Sequence, residues 1–253
     1  MNTWLDGLFW GPYFRRVYVA EILALRDTIF DRILPAFREI SSEAETAQED
    51  EWNRQMSMPS EGGDDPGDAG EMASEVGIAH YERLCRMRQM TLNMMAVNLR
   101  HLVDQQIMDF HKRQVLSISE ERERTLHKDI VFRDRLRNAG IDVETLRSWI
   151  SMVELRLLSN VIKHGEGDFK PERQTDYDKL FVTCPELFVE PEIRGTESQL
   201  CGRPRVDRPA GGEDLYVSET DLSRYIESSV MFWNELAEIV EFHSSAQKGQ
   251  AVP

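Results

Sequence analysis

The chain has 253 residues, 41% hydrophobic and 30% charged, with a formal net charge of −15. That length and apolar content allow one large domain or one and a half. The acidity argues against a broad basic surface that grips nucleic acid without selectivity, and leaves a local basic cleft open.

Eleven acids and one base, Arg54, lie between Ser41 and Glu75, so most of the net charge sits in that short stretch. The cysteines Cys85, Cys184 and Cys201 form neither a metal-like pair nor a disulfide pattern, which predicts a reducing cytoplasm. No apolar run reaches the roughly 18 residues of a membrane span, and the N-terminus lacks the pattern of a secretory signal. The aromatic stretch Trp4 to Phe14 reads as a packing face for the bundle or for a dimer partner. Its other reading, an interfacial anchor, is weakened by Asp6 and by its short length.

From about Tyr13 to about Ile40 apolar residues recur at helical spacing, including Val17, Ile22, Leu25, Ile29 and Ile33. Met58 to Glu71 is rich in Gly, Pro, Asp and Glu and predicts a flexible acidic loop over residues 57–73. A long helix should follow from Ser74 to about Leu116. Its apolar stripe is Leu92, Ala96, Leu99, Val103, Ile107 and Phe110. Met87, Met90, Met94 and Met95 read as core filler. Ser117 and Glu120 form a capping box for a charged helix that Gly140 ends.

Asp142 should cap the next helix, which runs to Gly165. A short helix is expected around Asp176 to Phe181, irregular chain from Thr196 to Gly212, and a short extended piece at Asp214–Ser218. Ser218 and Asp221 then open a final helix with a buried face of Leu222, Ile226, Val230, Trp233 and Leu236 or Ile239. Residues 244–253 should be a loose tail. The sum is an all-α protein: an antiparallel bundle of four to five long helices forming a single domain over residues 1–253.

His101, Gln105, Gln106 and His111 read as polar contacts of the bundle or its surface, and no spacing suggests zinc. No cofactor is implied. Asp104 and Glu154 suit internal ion pairs. Cys85, flanked by Arg83, Arg86 and Arg88, has a minor reading as a reactive thiol.

The chemistry concentrates in RLLSNVIKHGEG, Arg156 to Gly167. On a helical wheel at about 100° per residue, Asn160 and His164 fall roughly 40° and 80° from Arg156, with Lys163 and Ser159 beside them. Ile150, Leu155, Leu158, Val161 and Ile162 take the opposite side. Arg156, Asn160 and His164 thus share one stripe. The structural reading is a polar face with basic residues suited to the helix C-terminus. The chemical reading is a cation, an orienting amide and an imidazole that moves a proton near neutral pH. Those parts suffice for RNA cleavage without a metal, in which a base activates the 2′-hydroxyl and a cation stabilises the charge that develops. One copy supplies one histidine at this place, so the opposing acid would come from a second copy in a symmetric dimer.

At these residues the chain resembles the HEPN superfamily of α-helical domains. Asn160 and His164 match the second half of its motif, in which four to six residues stand between an arginine and the histidine. MAVNLRHLVDQQIMDF (Met95–Phe110), NVIKHGEG, CPELF and a late VSETDL…FW look like parts of the same group. The resemblance spans about residue 13 to 243. Ser159 stands in the usual arginine slot, and seven residues separate Arg156 from His164.

The resemblance implies a metal-independent ribonuclease of a bacterial defence or toxin–antitoxin system. It would act as a homodimer, with Arg156, Asn160 and His164 catalytic and Lys163 and Ser159 binding. It equally allows an inactive subunit that binds nucleotide, RNA or a protein partner from the same system, with the acidic stretch as a nucleic-acid mimic. A structural component docked through the aromatic N-terminus is the third reading.

Overall fold

A computed structural model describes residues 7–58, 66–114, 129–138, 140–164, 171–189 and 215–249. The elements are α1 Gly7–Tyr13, α2 Ala20–Thr28, α3 Ile40–Ser57, α4 Pro66–Gln114, α5 Asp129–Asn138, α6 Trp149–His164, α7 Pro171–Thr183 and α8 Glu219–Gly249. The protein is all-α, with no strand among the described residues. By backbone contacts it divides into two compact units, one of Met1–Arg26 with Leu92–Pro253 and one of Asp27–Thr91.

The larger unit is built around an aromatic cluster. Trp10 and Phe14 both meet Phe110 of α4, with ring centroids 4.8 and 5.3 Å apart. Phe14 and Tyr18 meet Trp233 of α8 at 4.9 and 4.6 Å. All five rings are buried, and burying each contributes roughly 1.5–3 kcal/mol. Trp10 and Phe14 of the aromatic stretch therefore pack into the bundle, while Phe9 is exposed and Trp4 lies outside the described residues.

Helices α6 and α8 run antiparallel. Along α6 and α8, Ser148 bonds Glu235, Met152 lies by Ser229, and Glu154 bonds Arg224. Position rises on one helix as it falls on the other. The same holds for α1 and its extension against α8, where Arg15 makes a two-pronged bond to Glu241 at 2.5 and 3.0 Å while Tyr18 reaches Trp233.

The expected stripe of α4 is buried in full, from Leu92 to Phe110, and so are Leu222, Ile226, Trp233 and Leu236 of α8. Phe14–Val19 is a π-helical turn between α1 and α2. Gln106 of α4 donates to the Tyr18 carbonyl at 3.1 Å, and Tyr18 Oη donates to Asp109 at 2.8 Å. Burial and the Asp109 carboxylate together push the Tyr18 hydroxyl's pKa well above its usual value.

In the smaller unit α3 and α4 form an antiparallel pair, with Trp52 against Gly70 and Gln48 with Ala44 against Gly77. A Cβ on Gly77 would lie 3.0 Å from the Gln48 Cβ, so a glycine permits the close approach. Here the sequence expectation is corrected. Residues 66–73, read as loop from their composition, form the start of α4, which Pro66 opens at a position where proline costs no hydrogen bond. Gly70, one of the glycines that signalled a loop, packs beside Trp52 of α3. Residues 59–65 lie outside the described residues.

Other expectations change as well. Met87, Met90 and Met94 are exposed, because they lie on the side of α4 away from its buried stripe. Helix α8 continues to Gly249, so the expected tail at residues 244–249 is helical. Helix α7 is longer than the short helix read around Asp176 to Phe181. Asp142 accepts from Glu144 N at 3.1 Å and caps only the short turn Val143–Thr145, while α6 begins later, at Trp149. Ile150, placed on the apolar side by the wheel, is exposed. Ser117, Gly165 and Cys201 lie outside the described residues.

Candidate anion-binding cleft

Helix α6 lies inside the larger unit, with Met152, Leu155, Leu157, Leu158 and Val161 buried. Its start is held from another helix. Glu235 of α8 accepts from Arg147 N at 3.3 Å, from Ser148 N at 3.2 Å and from Ser148 Oγ at 2.7 Å. A carboxylate at a helix N-terminus is favourable by charge and satisfies donors that the helix leaves open. Farther along, Glu154 accepts from Arg224 at 2.7 Å. Burial works against the guanidinium's charge, but the Glu154 bond raises Arg224's pKa above the ordinary value. Glu154 and Asp104 are ion-pair partners, as their sequence positions suggested.

This fixed helix presents Arg156, Ser159, Asn160 and Lys163 to one cleft of about 540 Å³. Arg100 and Asp104 of α4 and Arg133 of α5 also line it. Arg100 is almost wholly buried and pairs with Asp104 at 2.6 Å. Arg133 pairs with Glu144 through Nη1. Trp149 and Val153 add apolar wall. The cleft thus holds four cationic side chains against one carboxylate, in a chain whose net charge is −15.

Four of the five residues picked out in the sequence line this cleft. Lys163 is exposed, Arg156 and Asn160 are half-buried, and Ser159 is 1% exposed. The fifth, His164, is the last residue of α6, and its side chain lies outside the described residues. The Asn160 amide donates to Asp176 of α7 at 2.9 Å, so a neighbouring carboxylate engages the motif's asparagine.

Sequence reasoning missed Arg133 and Asp176 as neighbours of the site, whereas the helical wheel already sets Trp149 close to the Arg156 face. Arg100 left a trace, as a charge four residues before Asp104 on an apolar-striped helix. Two Ser159 neighbours in sequence, Leu157 and Leu158, are buried on other sides of the helix, so local polarity did not reveal where the hydroxyl would lie.

Among the described residues no group of three His, Cys, Asp or Glu side chains is placed to hold a metal ion. Among those residues, too, no helix is long and apolar enough to cross a membrane. No family model matches the chain, and neither a curated protein nor a solved structure does.

Proposed function

We propose that the chain is a HEPN-like, metal-independent ribonuclease that binds RNA in this cleft and acts as a homodimer. The supporting observation is the convergence of Arg156, Ser159, Asn160 and Lys163 with Arg100 and Arg133 on one cationic cleft in an acidic protein. Phosphodiester recognition needs such a local field.

In this reading the His164 imidazole takes the proton from a 2′-hydroxyl, and that oxygen attacks the adjacent phosphorus. Arg156 and Lys163 stabilise the added negative charge. The bond from phosphorus to the 5′-oxygen breaks, and that oxygen takes a proton from an acid supplied by the second copy. The products are a 2′,3′-cyclic phosphate and a 5′-hydroxyl. Asn160 positions the strand once its amide leaves Asp176. A role in a bacterial defence or toxin–antitoxin system, in the cytoplasm, accompanies this reading.

Purified protein is expected to cleave single-stranded RNA in the presence of EDTA and to leave cyclic phosphate ends. His164→Ala should lower the rate by about 100-fold or more while RNA binding persists. Expression of the wild type should harm cells, and the same substitution should relieve it. Intact RNA after incubation with wild-type protein would overturn the enzyme reading.

A second reading rests on the Asn160–Asp176 bond and on Ser159 in the usual arginine slot. It takes the chain as a HEPN-like subunit that binds RNA, nucleotide or a partner and does not cut. It expects tight binding without cleavage by either the wild type or His164→Ala.

A further inference from the structure

We propose that Ser159 and Arg133 form a phosphate-binding subsite of this cleft, taking a phosphate next to the one held by Arg156 and Lys163. The proposal rests on the reading of the cleft as the RNA site, and joins Ser159 of the motif to Arg133 from outside it. Ser159 is 1% exposed and lines the cleft, yet its Oγ has no hydrogen-bond partner among the described residues. Arg133 lines the same cleft from a different helix. It uses Nη1 on Glu144, while its buried Nε also has no hydrogen-bond partner among the described residues.

A buried donor that bonds nothing lowers stability, and chains keep few of them. Two at one cleft, from α5 and α6, form a hydroxyl and a guanidinium edge suited to a phosphate oxygen. Arg100, paired with Asp104, lines the same cleft. Trp149 in the wall offers a ring on which a base can stack. A phosphate ester beside a base is the chemistry that fits, and it can come from an RNA strand or from a free nucleotide.

The test is fluorescence anisotropy with a labelled RNA of roughly 12 nucleotides carrying 2′-O-methyl groups, which cannot be cleaved by this route. Ser159→Ala should weaken binding by about tenfold. It should also raise the melting temperature by about 2 °C, because it removes a buried group without a partner. Arg133→Gln should weaken binding and flatten the slope of log affinity against log salt by about 0.7, the share of one phosphate contact on a single strand.

Competition by unlabelled ATP that both variants weaken would support the subsite with a nucleotide as source. Failure of ATP to compete, with the RNA effects intact, would support it with the strand as source. Wild-type affinity in both variants, or a lower melting temperature in Ser159→Ala, would overturn it. If the wild type binds this RNA with the expected variant effects but leaves ordinary RNA uncut, the subsite stands and the ribonuclease reading falls.

Discussion

The amide of Asn93 holds both sides of the segment Leu215–Ser218. Its Nδ2 donates to the Leu215 carbonyl at 2.7 Å and its Oδ1 accepts from Val217 N at 3.2 Å. Asn93 is 3% exposed, so these backbone groups are satisfied without water. The short extended piece read from sequence thus pairs with a side chain, with Tyr216 N adding a bond to the Leu187 carbonyl at 2.8 Å. Asn93→Ala leaves a buried carbonyl and a buried amide unmatched, and should cost about 2–4 kcal/mol in urea unfolding. A loss below about 0.5 kcal/mol would mean that other groups hold the segment. Glu235 acts in a similar way on Arg147 and Ser148, where the sequence offered Asp142 as the cap. The competing candidate was closer in sequence; the successful one came from α8 because antiparallel packing sets it beside the start of α6.

Helix ends divide into those that local sequence decides and those it does not. Helix α5 stops as its sequence indicates. Gly140 has a φ of 86°, and the bonds Gly140 N to Arg137 O and Ile141 N to Leu136 O, both 2.9 Å, make a Schellman turn. Ile141 and Leu136, both buried, supply its apolar contact. Gly140→Ala should cost about 1–2 kcal/mol, since a side chain disfavours the left-handed conformation. A fall of about 2–6 °C in melting temperature would accompany it; an unchanged melting temperature would show that the turn relaxes without strain. Helix α8 likewise opens on the box its sequence contains, with Asp221 N donating to Ser218 Oγ at 3.0 Å and Ser218 N to Asp221 at 2.9 Å. The start of α4 was not legible in the same manner. Gly70 counts toward a loop by composition until α3 sets Trp52 beside it.

At the scale of the molecule, burial decides the behaviour of Cys184 as well as the fold. Burial first, and then the Glu154 charge, push its thiol up to about 11 from 9.0. Below about pH 9 the thiol is protonated in both folded and unfolded chains, and its contribution is complete. Between about pH 9 and 11 the unfolded chain ionises while the folded one keeps its proton, so stability falls. The urea midpoint should therefore drop over that range by more in the wild type than in Cys184→Ala. Equal drops would show that the thiol ionises alike in both states. A thiol reagent near neutral pH should likewise reach Cys184 only after unfolding.

The sequence by itself determined the all-α class, the buried stripe of α4, the buried face of α8 and the polar group on α6. Each follows from a period of about 3.6 residues or from a cap within a few residues, and such signals are written along the chain. Only the tertiary structure decided that Asn160 meets Asp176, that Ser159 is buried, and that Arg100 and Arg133 join Arg156 and Lys163 at one cleft. Those residues come from α4, α5, α6 and α7, and their meeting depends on how separate helices pack, which no local period encodes.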